Sequence, residues 1–138
     1  MADYSEKQLM EKLGNVPLFS TASKKQLKSI VNTGKIVTWP EGKIGVVQGS
    51  SAAAFFLILN GSVEVTRDEK PLARLNANDY FGETAMLTGD PRNAQVQATV
   101  ETVLFALVRP AFARAVKEDA DLAMRVLSTM ADRLSANI

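Results

Sequence analysis

Between Lys35 and Val108 the chain is divided into short runs of β-branched and aromatic residues, separated by Gly, Asn, Asp and Pro. Runs of this composition are typical of β-strands, and a turn signal at nearly every interruption favours antiparallel pairing. The clearest runs are KIVTW, KIGVV, AFFLIL, SVEVTR, QVQATV and TVLFALV. This region therefore predicts an antiparallel β-barrel or β-sandwich.

The dipeptide Asn60-Gly61 lies between AFFLIL and SVEVTR. Asn-Gly favours the positive φ angles of a type I′ hairpin turn, so we expect the two flanking strands to pair directly with each other. In the second strand Val63 and Val65 share one face, because side chains alternate along a strand. We expect that face to be buried.

Helical spacing precedes and follows the strand region. A first helix is predicted from Ser5 to Leu13, and a second is predicted to begin at a capping box formed by Ser23 and Gln26. Arg109-Pro110 predicts the start of a shorter helix, because proline suits a first helical turn. A final helix is indicated by an apolar stripe of Leu122, Val126, Leu127, Met130 and Leu134.

No internal repeat or linker divides these elements, so we predict one domain over residues 1–138. Its N-terminal helices occupy 1–33, its barrel 34–108 and its C-terminal helices 109–138. The apolar stripe of the last helix is a candidate surface for a homodimer.

Composition excludes several classes of function. The net charge of +1 gives no general attraction to nucleic acid, and no apolar run approaches the roughly 18 residues that span a bilayer. The chain has no cysteine, which suits a reducing compartment, and we expect a cytoplasmic protein. It also has no histidine, so we expect no catalytic residues, no metal and no cofactor. A metal-dependent jelly-roll enzyme is disfavoured for the same reason.

The segment from Asp79 to Val96 lacks the alternation of polar and apolar residues that is typical of a strand, and it contains two glycines and a proline. Gly82 permits a backbone conformation closed to other residues, and about one helical turn is expected to follow it. The free amides of that turn would attract an anion, and Arg92 could bind a phosphate there with two parallel hydrogen bonds. Glu83 would repel a phosphate but can accept hydrogen bonds from sugar hydroxyls. The segment therefore predicts a ligand that carries both a phosphate and a sugar hydroxyl group.

The same segment resembles a known motif. Phe81-Gly-Glu-Thr-Ala-Met-Leu87 followed by Pro91-Arg-Asn-Ala94 closely resembles the phosphate-binding cassette of cyclic-nucleotide-binding domains. These domains occur in catabolite-activator-type regulators, in regulatory subunits of cyclic-AMP-dependent kinase and in cyclic-nucleotide-gated channels. The resemblance implies an eight-stranded antiparallel jelly-roll β-barrel with flanking helices, and a cassette over residues 81–95.

Carried onto this chain, the resemblance places the cyclic phosphate on Arg92 and the ribose 2′-hydroxyl on Glu83. Gly82 would lie against the sugar, and the amides of Ala85 and Asn93 would complete the phosphate contacts. Thr84 belongs to the same binding set. Val65 and Leu72 would line an apolar wall near the base.

The resemblance implies a regulatory sensor module without catalysis, in which binding shifts the C-terminal helices. Asn93 and Gln95 stand where relatives often carry small or hydroxyl residues, so the choice between cyclic AMP, which we favour, and cyclic GMP stays open. An effector protein or a fused output domain is an implied partner. The alternative is a barrel that has lost its ligand and acts as a protein-interaction or structural domain.

Overall fold

The computed structural model describes residues 4–51 and 53–136, and for residues 133–136 it describes the backbone alone. Contacts divide the chain into two compact units. One unit, the sheet unit, runs from Gly34 to Arg109, and the other, the helical unit, combines the segments up to Thr33 and from Pro110 onward. Among the described helices, none has the length and hydropathy needed to cross a bilayer.

The helices in chain order are α1 (Glu6–Gly14), a 3₁₀ helix (Pro17–Phe19), α2 (Lys24–Thr33), α3 (Glu83–Thr88), α4 (Arg109–Glu118) and α5 (Ala120–Ala136). The strands are β1 (Lys35–Trp39), β2 (Ile44–Val46), β3 (Ala54–Asn60), β4 (Ser62–Arg67), β5 (Lys70–Asn76), β6 (Tyr80–Phe81), β7 (Gln95–Ala98) and β8 (Thr102–Val108).

Within the described part of the chain, eight strands form two antiparallel four-stranded sheets, ordered β1-β8-β3-β6 and β2-β7-β4-β5. This interleaved order is that of a jelly roll, so the predicted fold class is confirmed. A core lies between the inward faces and removes apolar surface from water, which is the main stabilising term in such a domain. Its buried members are Trp39, Val46, Ile58, Val63, Val96, Ala98 and Leu104.

The prediction for Asn60-Gly61 is wrong. β3 pairs with β6 and β8, whereas β4 pairs with β5 and β7, so the two flanking strands lie in different sheets. Gly61 has a φ of 112°, but Asn60 is not among the residues with positive φ, as a type I′ turn would require. Two successive positive φ angles, 52° and 67°, occur instead at Asp68 and Glu69, between β4 and β5.

Close packing explains why Gly61 is needed without a hairpin. A Cβ atom at this position would lie 2.7 Å from the Cα of Thr102 and 2.8 Å from the carbonyl oxygen of Glu101. The chain therefore crosses between the sheets where the backbone touches the start of β8. A glycine is therefore required at position 61, but the reason is the close approach of two backbone segments and not a two-residue turn.

The N-terminal helices begin at the expected polar signals. Ser23 and Gln26 form the predicted capping box, with backbone-to-side-chain bonds of 2.9 and 3.2 Å. A second capping box, formed by Ser5 and Gln8, starts α1. Each box satisfies amides that a helix leaves free at its N-terminus.

A polar network joins α2 to α5 within the helical unit. The side-chain amide of Gln26, which is buried, donates to the carboxylates of Asp121 at 2.9 Å and Asp119 at 3.3 Å. Arg125 donates to Asp121 at 2.7 Å and to the carbonyl oxygen of Thr21. The bonds from Arg125 and then Gln26 hold the pKa of Asp121 below its usual range.

The predicted stripe on α5 is divided between two faces. Leu122 and Val126 are buried and Met130 is half-buried. Leu127 is 61% exposed and lies beside Met124, which is 60% exposed, so it belongs to an outer apolar face. The side chain of Leu134 lies outside the described residues.

The crossing at Gly61 generates a stability prediction. Gly61→Ala should lower the free energy of unfolding by about 3 kcal/mol or more, because the new methyl group meets backbone atoms that cannot rotate away. The matched control is Gly42→Ala, since Gly42 has a φ of 85° but nothing within 4 Å of its Cβ position. That control should lose only about 1–2 kcal/mol. Equal losses in urea denaturation would contradict the close-approach explanation.

Candidate functional site

A cavity of about 470 Å³ opens in the sheet unit. This volume is within the range of small-molecule sites. The cavity is bounded by strand residues on one side and by the segment around α3 on the other. Its lining residues are Val46, Val65, Tyr80, Phe81, Gly82, Glu83, Thr84, Ala85, Thr88, Asp90, Pro91, Arg92, Asn93, Ala94 and Val96.

Three valines on neighbouring strands form the apolar side of the cavity. Val46 of β2 and Val65 of β4 both stand opposite Val96 of β7 in the strand register. Paired residues point to the same face of a sheet, so the three side chains form one row. This row provides an apolar surface suited to a flat ring.

An aromatic cluster supports the adjoining wall. Phe81, which lines the cavity, stacks on Phe56 with ring centroids 5.1 Å apart. Trp39 packs against both rings, at 5.2 Å from Phe56 and 6.1 Å from Phe81. Such ring pairs add to the burial of apolar surface and hold the wall rigid. The residue that follows Phe81 is therefore held in a fixed position.

Gly82 occupies a position that combines a positive φ angle with no space for a side chain. Its φ is 84°, in the left-handed region, and it forms the N-cap of α3. A Cβ atom here would collide with the carbonyl oxygen of Ala54 and would lie 2.9 and 3.0 Å from the Nη1 and Nη2 atoms of Arg92. The absence of a side chain therefore lets the guanidinium group lie against the main chain.

Arg92 is a buried cation at the cavity. It is only 7% exposed, its Nε has no hydrogen-bond partner among the described residues, and burial lowers its pKa from the usual value. Burying a charge is costly, and an incoming anion would compensate it. The side chain is therefore suited to binding one negatively charged group.

The backbone of Arg92 is fixed from both directions. Its amide donates to the carbonyl oxygen of Ser50 at 2.8 Å, and its carbonyl oxygen accepts from the amide of Gly49, also at 2.8 Å. The adjacent Gln48 exchanges two hydrogen bonds of 2.9 Å with Asp68 in the turn between β4 and β5. The loop that holds Arg92 is thus itself anchored to the sheet.

The first turn of α3 supplies the remaining polar groups. Glu83 is half-buried and Thr84 is exposed, while Ala85 and Met86 pack inward and fix the helix. The amide of Met86 donates to the carbonyl oxygen of Gly82 at 3.1 Å. The amides before Met86 precede the first possible intrahelical bond, as at every helix start.

The structure brings together almost all of the residues singled out in the sequence. Gly82, Glu83, Thr84, Ala85, Arg92, Asn93 and Val65 line the same cavity. Leu72 does not line it; this residue lies on the edge strand β5 and is 51% exposed. Sequence reasoning missed Val46, Val96, Tyr80 and Asp90, and the alternation of Val96 with Gln95 and Gln97 was the signal that could have indicated one of them.

A jelly roll with a buried arginine beside a glycine-capped helical turn provides a cavity suited to an anionic ligand. The family model described as the cyclic nucleotide-binding domain matches residues 36–119. This chain belongs to that family. Its cavity is formed by residues within the matched range.

Two relatives and one solved structure show the extent of the similarity. The cAMP-dependent protein kinase regulatory subunit of Schizosaccharomyces pombe is 34% identical over 121 residues, covering 86% of this chain and 29% of that protein. The cGMP-dependent protein kinase of Plasmodium berghei is 32% identical over 101 residues, covering 73% of this chain and 12% of that protein. The N-terminal domain of a transcriptional regulator from Streptomyces coelicolor A3(2) has the same fold, with a TM-score of 0.86, 22% identity and coverage of 91% and 94% of the two chains.

Arg92 generates a prediction on the free protein. Arg92→Met should raise the free energy of unfolding by about 1 kcal/mol, because it replaces a desolvated charge with an apolar chain of similar length. The matched control is Arg74→Met, whose guanidinium is exposed and 4.0 Å from Glu64. That control should change stability by less than about 0.5 kcal/mol. A clear loss of stability in Arg92→Met, measured by urea denaturation without nucleotide, would show that the charge has a stabilising partner.

Proposed function

We propose that this domain is a regulatory sensor that binds cyclic AMP in the cavity beside α3 and performs no chemistry on it. The observation that carries the proposal is the guanidinium of Arg92, buried against Gly82 and with an unpartnered Nε. A cyclic phosphate supplies one negative charge and acceptor oxygens for that group. The family membership established above supports a cyclic nucleotide as the class of ligand.

The other lining residues receive roles from their chemistry. Glu83 accepts a hydrogen bond from the ribose 2′-hydroxyl, and Gly82 lies against the sugar. The amides of Ala85 and Asn93 complete the phosphate contacts, with Thr84 beside them. Val65, together with Val46 and Val96, packs against the purine. Leu72, exposed on β5, is left out of this apolar wall.

Cyclic AMP is preferred over cyclic GMP in this proposal. Its support is the 34% identity with a cAMP-dependent protein kinase regulatory subunit. Asn93, the residue after Arg92, favours neither ligand, because its side-chain amide can both donate and accept hydrogen bonds. One relative described above is named for cAMP and the other for cGMP, so a direct comparison of the two ligands is needed.

The regulatory response is proposed to be a shift of the C-terminal helices when the nucleotide binds. Both units then act as one sensor domain over residues 1–138, and ligand binding favours one of two arrangements by differential affinity. The exposed pair Met124 and Leu127 on α5 is a candidate surface for a homodimer or for an effector or fused output domain. The cysteine-free composition supports a cytoplasmic location.

The competing function is a protein-interaction domain without a ligand, suggested by Asn93 and Gln95. Gln95 is not among the residues that line the cavity, which weakens that reading. Asn93 does line it, with its carbonyl oxygen bound by Arg67 at 2.9 Å. The titration below separates the two functions, because a ligand-free domain gives no response to either nucleotide.

The main prediction concerns binding. Calorimetric titration of nucleotide-free protein should show micromolar or tighter binding of cyclic AMP, and Arg92→Met should weaken it by about 2–5 kcal/mol, the usual cost of removing one partner of a desolvated charge pair. Arg74→Met, an exposed arginine of the same unit, should bind as the unchanged protein does. The single tryptophan, Trp39, contacts Phe81 and provides an independent fluorescence signal. No heat and no fluorescence change with either cyclic AMP or cyclic GMP would overturn the proposal.

A second prediction tests the role of Glu83. Glu83→Gln should weaken binding of cyclic AMP by about 1 kcal/mol, because the charge-assisted hydrogen bond from the 2′-hydroxyl is replaced by a bond to a neutral amide oxygen. The same substitution should slightly tighten binding of 2′-deoxy cyclic AMP, because this ligand lacks the hydroxyl group and only loses the repulsion between the Glu83 carboxylate and the phosphate. An equal loss for both ligands would show that Glu83 acts on the fold of the cavity and not on the sugar.

A further inference from the structure

The cavity lining carries more acidic than basic side chains. Among the described residues of the lining, Arg92 is the single cation, while Glu83 and Asp90 are both carboxylates. Glu83 already has a role in the proposed function. Asp90 has none, although it stands two residues before the arginine that would bind the phosphate.

Hydrogen bonds hold Asp90 at the edge of the cavity. Its amide donates to the Oγ1 of Thr88 at 3.1 Å, and that hydroxyl donates to the carbonyl oxygen of Thr84 at 2.9 Å. Gly89 closes the end of α3 by donating to Ala85 at 2.8 Å. Because Arg92 is fixed on the other side by Ser50, the short segment between them has little freedom. The main chain at Asp90 is therefore held beside the cavity, and its exposed side chain belongs to the lining.

A second positive charge is not supplied by the lining residues. Arg67 lies nearby, but its Nε donates to the carbonyl oxygen of Asn93 at 2.9 Å, its side chain is exposed, and it is not part of the lining. The buried guanidinium of Arg92 can neutralise about one negative charge. The guanidinium of Arg109 lies beside Gly89, with its Nε 3.2 Å from the position that a Cβ of Gly89 would take, but it is not part of the lining either. A further charge on a ligand would therefore meet Asp90 with no second cation from the lining residues.

Nucleotides differ in the negative charge that their phosphate group carries. A cyclic phosphodiester carries one negative charge, whereas a phosphomonoester such as that of 5′-AMP carries about 1.5 to 2 at pH 7. Discrimination between ligands often depends on a contact that disfavours the wrong one. Asp90 is the lining carboxylate that has no role in the proposed function, so it is the candidate for such a contact.

We propose that Asp90 is a specificity-determining residue, which makes the cavity select a cyclic phosphodiester over nucleotide phosphomonoesters by charge repulsion. This inference rests on the proposed function, since it concerns the same cavity and the same arginine. The effect of Asp90 should scale with the charge of the ligand, because its carboxylate does not distinguish base or sugar.

The test compares Asp90→Asn with the unchanged protein in competition assays with cyclic AMP and 5′-AMP. The substitution should tighten binding by about threefold for each ligand charge, the size of a Coulomb interaction between nearby charges in a water-like medium. Cyclic AMP should therefore gain about threefold and 5′-AMP close to the square of that factor. Both gains should shrink in high salt, because exposed charges are screened. The matched control is Glu101→Gln, which removes an exposed carboxylate that is not part of the lining and should change neither affinity.

The outcomes separate this inference from the function on which it rests. If the unchanged protein binds neither cyclic nucleotide, the proposed function fails and the selectivity fails with it. If the protein binds cyclic AMP but Asp90→Asn tightens both ligands equally, or neither, only the role of Asp90 is overturned. The same result in Glu101→Gln as in Asp90→Asn would indicate a general charge effect and would also overturn it.

Discussion

The packing of the Arg92 guanidinium against the backbone of Gly82 is the constraint on which the site depends. A cation that is only 7% exposed lowers stability unless a partner compensates it, so the surrounding structure has to hold it in place. The backbone bonds to Gly49 and Ser50 do this, together with a residue at position 82 that has no side chain and a φ of 84°. The same burial strengthens the attraction for an anion, because water does not screen the charge fully. The burial of Arg92 therefore lowers the stability of the free protein and raises its affinity for an anion.

The jelly roll also forms an apolar wall in the cavity that Arg92 lines. Strands β2, β4 and β7 are far apart in the chain but adjacent in one sheet, so that Val46, Val65 and Val96 form a single row. The aromatic cluster of Trp39, Phe56 and Phe81 fixes the wall from which Gly82 and α3 continue. A ligand with an anionic end and a flat apolar end matches both halves of the cavity, which is the chemistry of a nucleotide.

The helical unit has its own constraint. Gln26 and Asp121 are 95 positions apart, yet their hydrogen bond and those of Arg125 connect the N-terminal helices to the start of α5. A displacement of α5 therefore has to carry α2 with it or break these bonds. Because the network is polar and partly exposed, its hydrogen bonds exchange with water at a small net cost, unlike the contacts of a buried apolar core.

The local sequence was enough to predict those features of the structure that depend on a few neighbouring residues. The capping box at Ser23 and the start of α4 at Arg109 could be predicted because their geometry is set over a few residues. Gly82, Glu83 and Arg92 could be singled out from one short segment, but the position of Arg92 also depends on hydrogen bonds to Gly49 and Ser50. The tertiary structure decided the rest. Asn60-Gly61 has the composition of a hairpin turn, but packing of Gly61 against Thr102 places the adjoining strands in different sheets. The row of three valines, the exposure of Leu72 and the outer position of Leu127 depend on strand register and helix orientation. These are fixed by which apolar faces meet across the core, and no short stretch of sequence contains that information.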